Sequence, residues 1–335
     1  MEQKETAVCC PAAGYPAASN DKKYEEALKM DNRTVKISVI VLTYNHEKYI
    51  RQALDSILMQ DTAFRYEILI GDDASTDHTV KIIIEYASKY PDIIVPFLRK
   101  KNIGATKNLY DLLTRAKGDY IANLEGDDFW TDDQKLQLQT EWLEEHPEYM
   151  GCYHLCKTID ENGYEVRTPK WVREKDFFSL KDFGGVFLPG HPSTWIYRNI
   201  YREPRYDYTV IYKAHTLIAD RTIATILLSQ GNFGFISRTM SCYRSIIKKN
   251  GQNVTSKLFV ENDDSKLIEY QLTLKLEAYA QNELKVHVDF SRFRRLLFIK
   301  SIIKLLIKPS HKRWLCAKGI ISLRLRAFMS VKGDY

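Results

Sequence analysis

Four short polar clusters in this 335-residue chain carry side chains suited to chemistry: Thr43-Tyr44-Asn45 with Glu47 close behind, Asp72-Asp73, Lys100–Gly104 with Lys107 beyond it, and Glu125-Gly-Asp127-Asp128. Adjacent carboxylates such as Asp127 and Asp128 suit a hard divalent cation. Such an ion takes one or two carboxylates and completes its shell with water and substrate phosphates. A phosphate ligand needs positive charge from somewhere. The usual glycine-rich cradles are missing, because neither G-x-G-x-x-G nor G-x-x-x-x-G-K-[ST] occurs where a nucleotide motif would need it. A cation, Mg2+ or Mn2+, fills that need. Taken singly, each cluster reads as a turn: Ser75, Thr76 or Asp77 could cap a following helix, and Gly126 with its acids could reverse the chain. Their common placement argues for more.

That placement follows from the apolar pattern around them. Ile37–Leu42, Tyr66–Gly71, Ile93–Leu98 and Tyr120–Leu124 are apolar runs of strand length, and Pro96 marks the third as an edge or a bulge. Between them, 46–60, 79–90 and 105–117 carry helical spacing, the last with Gly118 just beyond. Alternation of this kind predicts an α/β fold: a mostly parallel, twisted sheet with helices on both faces, plus a helical C-terminal region. In such sheets ligands sit outside the carboxyl ends of the strands. All of the clusters fall at those ends.

In order and spacing, Ile37-Ser-Val-Ile-Val-Leu-Thr-Tyr-Asn, Ile70-Gly-Asp-Asp-Ala-Ser-Thr-Asp, Asn102-Ile-Gly-Ala-Thr-Lys-Asn and Gly118-Asp-Tyr-Ile-Ala-Asn-Leu-Glu-Gly-Asp-Asp resemble family 2 glycosyltransferases of GT-A fold. The likeness is strong over 36–150, weakens to about 245 and then ends. It implies an inverting transferase, of the hexosyltransferase class, that moves a sugar from a nucleotide-diphosphate donor, a UDP-sugar, to a glycan hydroxyl. Cell-surface polysaccharide or lipopolysaccharide synthesis, with a lipid-linked acceptor, is the setting it suggests. Tyr44, beside Thr43, would lie against the nucleobase and Asp73 would accept from it. Glu47 would support that pocket, and Lys107 stands where the family often has Arg. Asp127 would contact the ribose, Asp128 would bind the metal, and Asp220, just before a helix, would be the general base. Glu-Gly-Asp-Asp departs from the family's D-x-D spelling but keeps an acidic pair. His191 and Trp195 are acceptor-side candidates. The rival readings are a sugar nucleotidyltransferase, which would show a basic Gly-rich loop after the first strand, and a non-catalytic nucleotide-sugar-binding subunit.

Three regions are expected: a mobile lead-in over 1–35 with a short helix at Tyr24–Met30, a catalytic domain over 36–245, and a basic helical region over 246–335. The catalytic domain would divide into a nucleotide-sugar half (36–130) and an acceptor half (131–245). The basic stretch Lys248–Asn253 could form a loop that closes over the diphosphate. The formal charge of +6 is uneven, since Ser291–Tyr335 holds twelve Lys/Arg against Asp334 alone. There Lys300, Lys304 and Lys308 recur among apolar residues, which predicts a basic amphipathic helix able to lie on an anionic membrane surface. An acidic body argues against nucleic acid as a partner. Unpaired cysteine spacing, an acidic N-terminus without an apolar core and no spanning run predict a cytoplasmic protein, peripheral on the inner face of the cell membrane.

Overall fold

The computed structural model describes residues 35–246 and 263–332, with side chains as far as Arg326. The helix expected at Tyr24–Met30 and the basic loop at Lys248–Asn253 lie outside the described residues. The chain divides into two compact units: residues up to Phe183 together with Phe187–Ser245, and Gly184–Val186 together with the residues from Ile246 onward.

In the first unit the strands are β1 (Ile37–Thr43), β2 (Tyr66–Asp72), β3 (Ile94–Leu98), β4 (Tyr120–Glu125), β5 (Phe129–Trp130), β6 (Gly151–Ile159), β7 (Val172–Arg173), β8 (Phe177–Phe178), β9 (Leu188–Pro189), β10 (Ile196–Arg198) and β11 (Phe233–Arg244). Nine of these form one mixed sheet in the order β3-β2-β1-β4-β10-β6-β11-β5, with β8 added beside β11; β7 and β9 pair separately. The long ladders are parallel: β1 with β2 and β4, β2 with β3, and β6 with β11. The antiparallel pairings are short. Of these, β10 joins β4 to β6 and so bridges the two parallel blocks. Pro96 lies on β3, at the edge of the sheet, where its missing N–H costs no ladder bond.

The helices of this unit are α1 (Ile50–Leu58), α2 (Thr79–Lys89), α3 (Ala105–Leu113), α4 (Lys135–Glu145), α5 (Leu180–Phe183), α6 (Val210–Lys213) and α7 (Asp220–Leu228). Side chains alternate across a strand. Ile37, Val39 and Val41 therefore share a face with Ile68, Ile70, Ala122 and Leu124, and that face buries Ile50, Leu54 and Ile57 of α1, Ile83 of α2 and Leu136 of α4. The opposite face receives α3: a Cβ on Gly71 would lie 2.9 Å from Leu112.

Two helices are shorter than their apolar spacing predicts. α1 begins at Ile50 rather than at 46, because the N–H groups of Asn45, His46 and Glu47 bond to Ser75, Thr79 and Asp77. α3 ends at Leu113 rather than at 117, because Lys117 and Gly118 turn their N–H groups to Glu67 and Ser38. Gly118 is not a helix stop. A Cβ there would sit 2.4 Å from the Ser38 backbone nitrogen, so only glycine permits this approach to β1.

The second unit contains α8 (Ser265–Tyr279), α9 (Ser291–Ile307) and α10 (His311–Lys332). Tyr270, Phe293, Leu297, Cys316 and Ile320 form its core. Asp263 ties its ends by pairing with Lys304 at 2.9 Å and Arg313 at 3.0 Å. The expected basic helix is α9. Its inner face buries Phe293 and Leu297, yet Leu296, Ile299, Ile303, Leu306 and Ile307 are exposed on the outside. Lys304 leaves the predicted lysine stripe for Asp263.

Candidate functional site

The carboxyl ends of β1, β2 and β4 meet at one rim. Asp73 N–H donates to the Thr43 carbonyl at 3.0 Å and Gly126 N–H to the Leu42 carbonyl at 2.8 Å, which locks the three strand ends together. Asp73 is buried, and its two carboxylate oxygens accept from the N–H groups of Ile103 at 2.7 Å and Gly104 at 3.0 Å. It thereby fixes the loop that leads into α3. Gly126 has no room for a side chain, since a Cβ would stand 2.8 Å from His46 Nδ1 and 3.0 Å from Thr43 Oγ1.

This rim holds buried polar atoms without a protein partner. Thr43 Oγ1, His46 Nδ1, Asp127 Oδ1 and Asp128 Oδ2 are all of that kind among the described residues. Buried polar groups are nearly always hydrogen-bonded, so several orphans in one place mark a site built for something else. His46 Nε2 lies 4.0 Å from Asp127 Oδ2. Asp128 Oδ1 accepts from Arg244 N–H at 2.8 Å, and Asp128 Oδ2 lies 3.7 Å from His191 Nδ1. Arg244, at the end of β11, also donates to the Asp127 carbonyl at 3.1 Å and to Gln52 at 2.9 Å, and its guanidinium lies 4.6 Å from the centre of the Tyr49 ring. The Asp127-Asp128 turn is thus clamped from the far half of the sheet.

Asp220 is the first residue of α7, and its Oδ1 accepts from Arg221 N–H at 2.7 Å. The loop before it is held to the rim by Thr106 N–H donating to the Thr216 carbonyl at 3.3 Å. His215 Nδ1 folds that loop by accepting from Leu217 and Ile218 at 3.0 and 3.1 Å. Asp220 thus puts an acid in the first turn of α7. Glu125 ends β4 and is exposed. Desolvation, then Asp127, then Asp220 push its carboxyl up to about 8. Asp128 is likewise raised well above the usual range, by burial first and then by Asp127 and Glu125. Acids crowded in this way favour a cation among them. The described residues contain no cluster of three or more His, Cys, Asp or Glu arranged to hold a metal. The unpaired oxygens of Asp127 and Asp128 fit the alternative of two protein carboxylates, with the rest of the shell from substrate.

Residues 38–203 match the model of glycosyl transferase family 2. Over this stretch the chain belongs to glycosyltransferase family 2. An uncharacterized protein of Mycobacterium tuberculosis is 37% identical over 211 residues, covering 62% of this chain and 58% of that protein. EpsE of Bacillus subtilis, named as a glycosyltransferase, is 38% identical over 132 residues, covering 39% of this chain and 47% of its own length. The chain thus spans about half the length of these relatives. The crystal structure of Staphylococcus aureus TarS 1–349 with UDP-GlcNAc superposes with a TM-score of 0.60 at 19% identity, over 85% of this chain and 79% of that one. That likeness establishes the GT-A fold.

Within the family 2 domain the expected site residues scatter more than their sequence order implies. Thr43, Asp73, Asp127 and Asp128 gather at the rim, and half-buried Tyr44 continues it from the end of β1. Glu47 is drawn away from the expected pocket: its carboxylate accepts from His78 N–H and meets His78 Nδ1, both at 2.9 Å, and so serves the start of α2. Lys107 is exposed and lies 6.0 Å from the Tyr212 ring centre. His191 reaches Asp128, but it is buried, engaged with Ser193 Oγ at 2.8 Å and stacked on Tyr243 at 4.0 Å. Burial lowers its pKa to about 3, which keeps it neutral. Trp195 must be corrected. It is 1% exposed, its indole N–H donates to the Pro189 carbonyl, and its ring packs edge-on against Phe233, so no face is left for a sugar. Three rim residues were missed from the sequence: His46, Glu125 and Arg244. Glu125 stood in plain view two positions before Asp127, whereas Arg244 is marked only by a cation ending an apolar strand.

Proposed function

We propose that this chain transfers a sugar from a nucleotide-diphosphate donor, a UDP-sugar, to a hydroxyl of a glycan acceptor, with inversion at the anomeric carbon. The observation that carries this reading is the group of orphaned polar atoms at Thr43, His46, Asp127 and Asp128, at the rim where β1, β2 and β4 end. Residues 36–245 act as the catalytic domain, with donor contacts in 36–130 and acceptor contacts in 131–245. Residues 246–335 form a separate basic region. TarS, named a poly(ribitol-phosphate) beta-N-acetylglucosaminyltransferase and solved with UDP-GlcNAc, supports a UDP-sugar donor and a polymeric acceptor as the substrate classes.

In this reading Asp127 and Asp128 hold Mg2+ or Mn2+, which neutralises charge on the departing nucleoside diphosphate. Tyr44 and Asp73 position the base, and Asp127 also faces the ribose. Asp220 takes the proton of the acceptor hydroxyl as its oxygen bonds to C1 and the bond from C1 to the diphosphate breaks. A single carboxylate suffices, because inversion needs one displacement. Arg244 keeps the acidic turn in place through the Asp127 carbonyl and the Asp128 carboxylate. The acceptor is expected to be lipid-linked and the protein to work at the inner face of the cell membrane.

The test is incubation of the purified chain with a panel of nucleotide sugars and Mn2+ or Mg2+, with products resolved by chromatography. Release of nucleoside diphosphate that stops with chelator supports the proposal. Release of pyrophosphate would instead mark a nucleotidyltransferase, and no turnover with any donor would leave only a binding role.

A further inference from the structure

The helical unit turns a band of large apolar side chains outward. On α9 these are Leu296, Ile299, Ile303, Leu306 and Ile307, the last two 76% and 79% exposed. Steps of three and four residues put them on one face, beside the strip that buries Phe293 and Leu297. α10 continues the band through Trp314, Leu315, Ile321 and Leu325. Between the two helices a hollow of about 600 Å³ opens at the turn, lined by Leu305, Pro309, Ser310, His311 and Trp314. A helix apolar on both sides needs cover on both, and a contiguous apolar patch of this kind marks an interaction surface.

The charges beside the band choose the occupant. Exposed Arg292, Arg295, Lys300, Lys308, Lys312 and Lys318 flank it. Between Ser291 and Tyr335 the sequence holds no acid before Asp334. A second copy of this face would set cation against cation, whereas an anionic lipid surface supplies both the missing negative charge and an apolar layer. The side chains are of the right kind for an interface: Trp314 beneath Lys318, 4.7 Å from its ring centre, and long lysines whose stems lie along apolar surface while the ammonium stays wet. No helix among the described residues is long and apolar enough to cross a membrane, so contact from the side is the geometry available.

We propose that the outer face of α9 and α10 docks on an anionic membrane surface, with Ile303, Leu306, Ile307 and Trp314 entering the headgroup boundary and the flanking Lys/Arg meeting lipid phosphates. This does not depend on the sugar-transfer reading, since it uses none of the rim residues. The experiment is sedimentation of the full chain with vesicles of phosphatidylcholine alone or mixed with phosphatidylglycerol, at low and high salt. The full chain is expected to bind the anionic vesicles at low salt and to lose about tenfold or more in affinity at high salt or on neutral vesicles. Leu306→Asp with Ile307→Asp should weaken binding about tenfold while far-UV circular dichroism stays unchanged, because both side chains are already in water. Lys300→Glu with Lys308→Glu tests the charge separately and should do the same. Absence of binding to anionic vesicles, equal binding to neutral ones, or binding by the folded apolar variants as tight as the parent's would overturn the proposal. So would a dimer in analytical ultracentrifugation that Leu306→Asp with Ile307→Asp dissolves, since that would give the face to a second copy.

Discussion

The sheet unit and the helical unit leave opposite kinds of surface unsatisfied. In the sheet unit the apolar side chains of β1, β2 and β4 are covered, and four orphaned polar atoms, Thr43 Oγ1, His46 Nδ1, Asp127 Oδ1 and Asp128 Oδ2, gather at one rim. In the helical unit Arg294, Lys304 and Arg313 pair with Glu277 and Asp263, and large apolar side chains such as Leu306, Ile307 and Trp314 are exposed. Buried polar orphans point to a small, charged ligand whose own atoms complete the bonds. An exposed apolar band points to an extended surface. The two defects therefore assign the units different partners.

The sharpest way to break this contrast is at the rim. Asp220→Asn should slow transfer by about 10²–10⁴-fold, the usual contribution of a general base, with donor affinity by calorimetry nearly unchanged. Abolished donor binding would reassign Asp220 to the donor pocket or to structure. Asp128→Asn should reduce turnover by about 10²–10³-fold. Its thermal midpoint should hold or rise, because a buried charge raised well above its ordinary pKa is removed. Full activity of this variant, or of the wild type in excess chelator, would end the metal assignment.

A smaller effect tests the idea that orphans mark function, since others lie away from the rim, Lys135 among them. Lys135, the first residue of α4, is fully buried, its Nζ lacks a hydrogen bond, and it rests 4.2 Å from the Trp130 ring centre. Burial pulls its amine down to about 7, against 10.5 for an ordinary lysine. Between those values the unfolded chain binds the extra proton, so native stability rises as pH rises from 7; below 7 both states are protonated and the penalty is full. Lys135→Met should flatten that slope and stabilise at neutral pH by on the order of 2 kcal/mol, measured by urea unfolding across pH. Destabilisation would show that the ammonium has a partner of its own. The smallest effect belongs to the helical unit: Ile307→Asp should shift stability by about 0.5 kcal/mol or less, as exposed substitutions do. A large loss of thermal midpoint would mean that the face is covered in the free protein.

Legibility in the sequence followed the same division. The apolar runs of β1, β2, β3 and β4 were readable because each is bounded by polar turns, and the acids at their ends could be placed by strand order alone. The strands β5, β8 and β10 were not, since two or three residues carry no period; β10 is held by its neighbours rather than by its own pattern. Trp195 looked like a sugar platform because an indole beside Pro and Gly reads as a loop residue. What buries it is the Pro189 carbonyl and Phe233, contacts that no spacing announces. Glu125 was named only as part of its acidic cluster, and the charges that act on it include Asp220, which is distant in sequence. On the tail, the basic apolar composition was plain, but the inward and outward apolar faces of α9 separate only once Phe293 and Leu297 are seen to be buried.

The position of β1 has a consequence for how the chain is made. It is the earliest strand among the described residues, yet it lies between β2 and β4, and Gly118 must reach Ser38 before the far side of its ladder can close. At synthesis rates of about 5–20 residues per second, Ile37, Val39 and Val41 wait roughly 4–16 s for β4. The parallel ladder of β6 waits in turn for β11. During that interval one edge of the nascent strand stays open even after β2 has paired with the other, which makes it the stretch that a holding chaperone should grip first and that slowed translation should expose longest.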